Sequence, residues 1–416
     1  MKEIFQTIKQ NAKEQIYQLD LILLICMTLL ITISFVMVFS ATMYFPEAQD
    51  NPFFFVTKQW VGVIMGIIGM IGIVIAPYKL FEQKAFYYSL NGLMIAALLF
   101  VALAGEVRGG AKSWLSIGSF SFQPSEFAKT SLILTLSHFM YSYMRQPALK
   151  EQRSQDKDWT QWLPVIKIGS ILFLNLLLIM LQPDVGMVIL IGATLSVMLA
   201  VEFFTAKTNR LLTLGGVVLA FLGTYYIQTN IDWLVQHVGF RGQRLLTFAN
   251  PFYDPQDMGY QVINSFLAIS EGGWLGVGLG SSLLKQGILP AAHTDFILSI
   301  TAEEMGVFGA GVIIFLWGLM ITRLYISASR ATNNYRSSVL TGIGTMFLVQ
   351  LLANVGGLLA LLPLTGVTLP LVSYGGSSMI ASIIALGVAQ RMIIEDRNEA
   401  AIYEQLKKEE EEDDFI

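Results

Sequence analysis

The run LILLICMTLLITISFVMVFSATMY, Leu21 to Tyr44, contains no charged residue. A helix crosses the hydrocarbon core of a bilayer in about 20 apolar residues, so this run is long enough to span it. It is too long for the apolar core of a secretory signal, and no small-residue cleavage site directly follows it, so it reads as a permanent anchor. Residues 1–19 are polar. Among their lysines Ile4, Phe5, Ile8 and Ala12 recur at helical spacing, which fits either a short helix on the membrane surface or a frayed tail.

The rest of the chain extends that reading. Of 416 residues, 54% are hydrophobic and 13% charged, with a mean hydropathy of +0.60. Soluble domains carry about 25% charged residues. One water-facing globule cannot hide this much apolar surface, and an integral membrane protein is expected. The net charge of −4 says little about partners, because much of the acid is crowded into the last residues. Cys26 is the single cysteine and lies in the first apolar run, which excludes an intramolecular disulfide framework and argues against a thiolate metal site. His138, His237 and His293 are the only histidines, and no two have zinc-ligand spacing.

Apolar runs of spanning length fall near 20–44, 54–76, 86–104, 124–145, 162–182, 184–204, 209–229, 296–326, 337–362 and 368–393, an all-α polytopic architecture of about ten transmembrane helices. Pro183 divides the fifth from the sixth. Lys and Arg cluster on one set of flanks, from Lys2 and Lys79 through Arg145, Lys207, Arg330 and Arg391 to Arg397. The other set holds only Arg108, Lys112, Arg241, Arg244 and Lys285. The richer side is cytoplasmic by the positive-inside bias, which puts both termini inside. Three parts follow: a cytoplasmic segment 1–19, a membrane domain 20–394, and an acidic cytoplasmic tail 395–416. A large extracytoplasmic loop, 230–295, joins spans seven and eight, and a loop of that length is usually functional. The tail ends in KKEEEEDD, Lys407 to Asp414, a block that reads as solvated and disordered, with partner docking as the rival.

The candidates for chemistry sit on the outer side. In RGGAKSWLSIGSFSFQPSEFAK, Arg108 to Lys129, two cations flank glycines, and Trp114 is either a membrane-belt aromatic or a functional ring. Gln123-Pro124-Ser125-Glu126 reads as a helix start. Glu126 and Lys129, three apart, share a helix face and can pair, as a structural bridge or as a functional one. Arg241 and Arg244 have the same spacing and could clamp a phosphate or diphosphate. Asn250-Pro251 and Asp254-Pro255 mark turns. EGGWLGVGLGSS, Glu271 to Ser282, lacks the strand-turn-helix setting of a dinucleotide site, so it is a flexible lid or a close-packed backbone. Asp295, in LPAAHTDFILSI, stands where the long loop re-enters the membrane beside His293 and Thr294. Apolar neighbours would make it a stronger base than a solvated aspartate; the rival role is an N-cap for the helix beginning at Phe296. LLPLTGVTLPLVSYGGSSM, Leu361 to Met379, is broken by Pro and Gly and includes Ser373, Tyr374 and Ser377. Such backbone at membrane depth must be shielded by protein or line a cavity.

Together GGAKSW, QPSEFAK, QPDVG, RLLTFANPFYDP with GYQ, LPAAHTDFI with EE, and LPL with SYGGSS resemble, in order, the SEDS family of bacterial cell-wall proteins, whose members include FtsW and RodA. The FSAT ending of the first span and NPFFFVTKQW look more like the FtsW branch. The resemblance implies a GT-C-like peptidoglycan glycosyltransferase that polymerises lipid II at the outer face of the cytoplasmic membrane, in cell division or elongation. It implies a polyprenyl-diphosphate-linked glycan as the growing chain, a class B penicillin-binding protein that cross-links the product, other division or elongation proteins as partners, and no nucleic acid. By motif position Asp295 matches the family's essential loop aspartate, Glu126 and Lys129 a required charge pair, and Trp114 a sensitive tryptophan. Asn264-Ser265 departs from the family pattern, which has glutamine before the serine, and Lys112-Ser113 stands where a second basic residue often precedes the tryptophan.

On this reading Asp295 takes the proton of an acceptor sugar hydroxyl, and Arg108, Lys112, Arg241, Arg244 and Lys285 meet the charge of the leaving diphosphate, with or without a divalent cation such as Mg or Mn and without an organic cofactor. His293, Thr294, Ser373, Tyr374 and Ser377 are expected in the substrate site. Two other classes compete. A lipid II flippase would concentrate its essential charges within the spans, as with Glu126, Lys129, Asp184 and Glu303. A noncatalytic scaffold would tolerate neutralisation of the outer loop.

Overall fold

A computed structural model describes residues 15–108, 111–117, 120–144, 163–230, 233, 247–248, 250–253, 256 and 259–413. The expected surface helix near residues 4–12 lies outside them. Ten long helices occur in the described residues: α1 Leu21–Thr42, α2 Phe54–Ile75, α3 Lys84–Ala104, α4 Pro124–Met144, α5 Leu163–Leu181, α6 Val185–Phe203, α7 Ala206–Thr229, α8 Ile297–Arg330, α9 Asn334–Leu358 and α10 Gly376–Asp413. Each overlaps one of the ten apolar runs, although the last begins at Gly376 and not near 368. Seven of them (α1, α2, α3, α6, α8, α9 and α10) are long and apolar enough to cross a membrane. Glu126, Lys129 and a series of hydroxyls dilute α4.

Two sequence expectations change. The chain is not wholly helical: β1 Glu106–Arg108, β2 Ala111–Ile117 and β3 Phe120–Phe122 form a three-stranded antiparallel sheet between α3 and α4. Glu106 pairs with Trp114 and Leu115 with Phe122, with a register irregularity between Glu106 and Val107. The acidic tail is also not left as coil, since α10 runs unbroken to Asp413.

α10 is the central helix. The spanning stretch of α10 is 94% buried, against 28% in α3, so the first is wrapped by protein and the second is largely lipid-facing. Close approach to α2 makes this packing possible. Gly62 and Gly66 form a small-xxx-small pair, and a Cβ on Gly66 would lie 2.8 Å from Ile383 Cδ1. With no hydrophobic force between helices in lipid, such close backbone contact is a main source of association.

The first and last of the long helices meet at one carboxylate. Asp20 caps α1 by accepting from the Leu23 N–H. It also accepts from Arg323 of α8 (2.6 Å) and Arg397 of α10 (2.9 Å). Gln390 holds the Asp20 backbone in both directions, accepting from its N–H and donating to its carbonyl.

α8 is two helices joined across a break at Gly306, where φ is 72° and ψ 177°. The break frees backbone groups, and the glycine-rich stretch satisfies them. Val277 and Gly278 N–H donate to the Glu303 and Glu304 carbonyls, while Val307 and Phe308 N–H donate to the Gly273 and Trp274 carbonyls. Of the two roles expected for these glycines, this is the close-packed backbone. Gly306→Ala is expected to cost more than about 2 kcal/mol, because its φ and the Trp274 carbonyl, 2.2 Å from an added Cβ, both oppose a side chain. Gly311→Ala in the same helix meets no atom within 4 Å and should stay within about 0.5 kcal/mol of wild type. Thermal unfolding in detergent compares them; equal midpoints would make the Gly306 break dispensable.

Candidate active site at the outer mouth

α8 begins at Ile297 with Phe296 in the cap position and no side chain bonded to the cap. Asp295 is therefore not the N-cap that the rival reading expected. It belongs to a turn ahead of the helix, closed by Thr294 and Phe296 N–H on the Ala291 carbonyl. Phe296 is fully buried and Asp295 half-buried, so the backbone drops into the core immediately after the carboxylate.

Three consecutive carbonyls of this turn are each held by a different donor. The His293 carbonyl accepts from the Tyr374 N–H at 2.9 Å, the Thr294 carbonyl from Ser373 Oγ at 2.6 Å, and the Asp295 carbonyl from Asn354 Nδ2 at 2.9 Å. Asn354 also reaches the Val367 carbonyl, tying α9 to the broken segment 361–375. That segment carries irregular backbone, with Leu371 at φ 59° and Gly366 at φ 71°, yet Leu369, Leu371 and Val372 are fully buried. Its later part, Val367 to Ser373, is shielded by protein, while Leu361, Leu362 and Gly366 are exposed, and α10 begins only at Gly376 rather than near 368. Gln59 of α2 braces it further, donating to the Ser373 carbonyl and to Ser34 Oγ and accepting from the Gly375 N–H. The Asp295 carboxylate lies over Gly366, with Oδ2 3.7 Å from the point a Cβ would occupy there.

The His293 ring packs edge-on to Phe45 and Phe55 and beside Tyr374. Burial pushes its imidazole down to about 4, against an opposing pull from the Glu47 carboxylate. It is a neutral wall of the site.

A second knot lies on the other side of Gly366. Glu126 and Lys129 pair at 2.8 Å, both buried. Gln123 donates to Asp184 through Nε2 and to Ser377 Oγ through its backbone N–H, and Ser377 Oγ donates to the Ser121 carbonyl. Asp184 caps α6 at Met187. A Cβ on Gly186 would meet the Thr365 carbonyl at 2.5 Å, so α6 starts against the residue next to Gly366. The QPSE, QPDVG and SYGGSS stretches are thus one connected structure.

Not every expected residue joins it. Lys285 does not stand on the outer face: it is buried, pairs with Glu304 at 2.6 Å and donates to Ser40 Oγ, while Ser40 Oγ donates to Glu304. The neighbouring Glu303 accepts from Ser282 Oγ and the Leu283 N–H. Lys112 is half-buried, its ammonium donating to the Leu103 carbonyl and its backbone N–H to the Gln182 carbonyl. Trp114 is half-buried on β2. Arg108 ends β1, and its side chain lies outside the described residues, as do Arg241 and Arg244 entirely. Asn264 lies on a further helix within the outer loop, Tyr260–Gly272, and bonds that helix at the Tyr260 carbonyl. Ser265 is the residue that reaches the core, at Ser299 Oγ and the Leu358 carbonyl. Asn354, Gln59 and Ser34 were not singled out in the sequence, although a buried amide in an apolar run is itself a signal.

Among the described residues no three His, Cys, Asp or Glu side chains converge. What the geometry offers is one rigidly mounted carboxylate at the end of a span.

Comparison with known proteins agrees with this layout. The chain matches the model of the FtsW/RodA/SpoVE cell cycle proteins over residues 20–398. A probable peptidoglycan glycosyltransferase FtsW of Saccharophagus degradans is 35% identical over 388 residues, which are 91% of this chain and 93% of that one. The Bacillus subtilis protein described in the same words is 34% identical over 380 residues, 90% and 91% of the two chains. A chain from a solved peptidoglycan synthase complex that coordinates polymerization and crosslinking superposes with a TM-score of 0.66 at 26% identity, covering 91% of this chain and 98% of its own. With the family pattern running through nearly the whole helical body, this chain is a multi-pass protein of the bacterial cytoplasmic membrane and belongs to the FtsW/RodA/SpoVE family of cell cycle proteins.

Proposed function

We propose that the chain is a peptidoglycan glycosyltransferase that polymerises lipid II at the outer face of the membrane, with Asp295 as general base. The observation that carries this is the mounting of Asp295: three tethered carbonyls hold a half-buried carboxylate at the mouth of the membrane. There it is within reach of sugars whose lipid anchors remain in the bilayer. The acceptor hydroxyl oxygen forms a bond to the donor's anomeric carbon, the bond from that carbon to the diphosphate breaks, and the hydroxyl proton passes to Asp295. The polyprenyl diphosphate leaves as the anion. Arg108, Lys112, Arg241 and Arg244 are the cations proposed to meet it. Magnesium or manganese, where used, would arrive on the diphosphate oxygens. The relatives named FtsW favour a division role, and the likeness to a synthase complex favours a class B penicillin-binding protein as the cross-linking partner.

A flippase needs charges able to change partners. Glu126, Lys129, Glu303, Glu304 and Lys285 are all held in buried, satisfied arrangements, which supports the enzyme.

Incubating the protein and its transpeptidase with lipid II tests the proposal. Asp295→Asn and Asp295→Ala should each lower glycan polymerisation by about 10²–10⁴-fold while remaining folded. Wild-type ladder lengths from either variant would remove Asp295 from the mechanism, and lipid flipping without ladders would favour the transporter. Lys285→Met should cost about 3–5 kcal/mol by stranding the buried Glu304 carboxylate. Lys285→Met with Glu304→Leu should recover both folding and polymerisation. Recovery of folding alone would return Lys285 to the substrate site.

His293 gives a pH test. It titrates near 6.5 when unfolded and near 4 in the fold, so the unfolded chain binds the extra proton between those values. The stability from neutral His293 is complete above about 6.5 and is lost as pH falls toward 4, about 3 kcal/mol in all. His293→Phe, which suits the aromatic surroundings, should flatten that part of the stability–pH curve. An unchanged curve would mean that folding does not shift the His293 pKa.

A further inference from the structure

At the end of the molecule away from Asp295, α3, α4 and α5 part around a cavity of about 250 Å³. By the charge bias of the flanks this end is cytoplasmic. Lys84, at the start of α3, and Lys167, in the first turns of α5, line it. Both are exposed, and among the described residues neither is paired with a carboxylate. Deeper in, the His138 ring stacks on Tyr87 with centroids 4.2 Å apart, and its Nε2 is buried without a hydrogen-bond partner. Phe139, Ile168 and Ile171 supply apolar wall.

We propose that this cavity is a binding site for an anionic phospholipid of the cytoplasmic leaflet, with its phosphate between Lys84 and Lys167 and its glycerol backbone against Phe139, Ile168 and Ile171. The chemistry of the lining selects this ligand. Two ammonium groups at the mouth match a phosphodiester. A soluble anion would gain nothing from the apolar wall. α3 is also among the least buried of the spanning helices, so a lipid can reach the cavity sideways from the bilayer.

Native mass spectrometry of the full chain in detergent provides the test, with dioleoylphosphatidylglycerol, dioleoylphosphatidylcholine and inorganic phosphate as probes. Wild type should retain one phosphatidylglycerol about 10–30-fold more tightly than phosphatidylcholine, the preference expected from two lysines near a phosphate. Lys84→Gln with Lys167→Gln should abolish that preference. Lys79→Gln with Lys207→Gln, which removes two exposed lysines of the same membrane face outside the cavity, should keep it. Equal retention of the two lipids by wild type would overturn the site, as would a preference that survives loss of Lys84 and Lys167. Binding of inorganic phosphate that depends on these lysines, without lipid preference, would overturn the lipid occupant in favour of a soluble anion.

Discussion

Backbone polar groups near the membrane core must find partners inside the protein, and the outer half of this molecule is organised by that requirement. The turn at His293–Asp295 and the broken segment 361–375 are both irregular, and neither could satisfy its carbonyls alone. Each supplies what the other lacks. Tyr374 and Ser373 donate to the turn, Asn354 bridges turn and segment, and Gln59 closes the segment from α2. The carboxylate of Asp295 is positioned as a by-product of main-chain bonding, which is stiffer than any positioning by a lone side chain.

The same requirement explains the glycine-rich stretch and the buried charges below it. Breaking α8 at Gly306 exposes carbonyls of Glu303 and Glu304, and the loop backbone comes close enough to cap them only because Gly272 and Gly276 lack a Cβ. The side chains of the same two glutamates then bind the following loop residues, Ser282 and Lys285. Main chain and side chains of one short segment thereby hold successive parts of the same loop.

The helical body was legible in the sequence because a spanning helix needs a long apolar run, and such runs are hard to mistake. The sheet at 106–122 was not, since its strands are three to seven residues long and interrupted by glycine. The start of α10 was misplaced because Leu369, Leu371 and Val372 prolong the apolar run, although Pro370 and Gly375 already mark the stretch as broken. Asp295 stood out through its position between polar loop and apolar span. Lys285 misled, since its partner Ser40 lies 245 residues away in the chain and a buried cation looks like an exposed one in a list of letters. Glu126 and Lys129 were readable because their spacing is local.

The pin at Asp20 has a further consequence. One carboxylate there serves two guanidiniums, those of Arg323 and Arg397, and also the first turn of α1. Neutralising it would leave two cations unpaired at once and loosen α1, α8 and α10 together, so at this point the three helices hold or part as a unit.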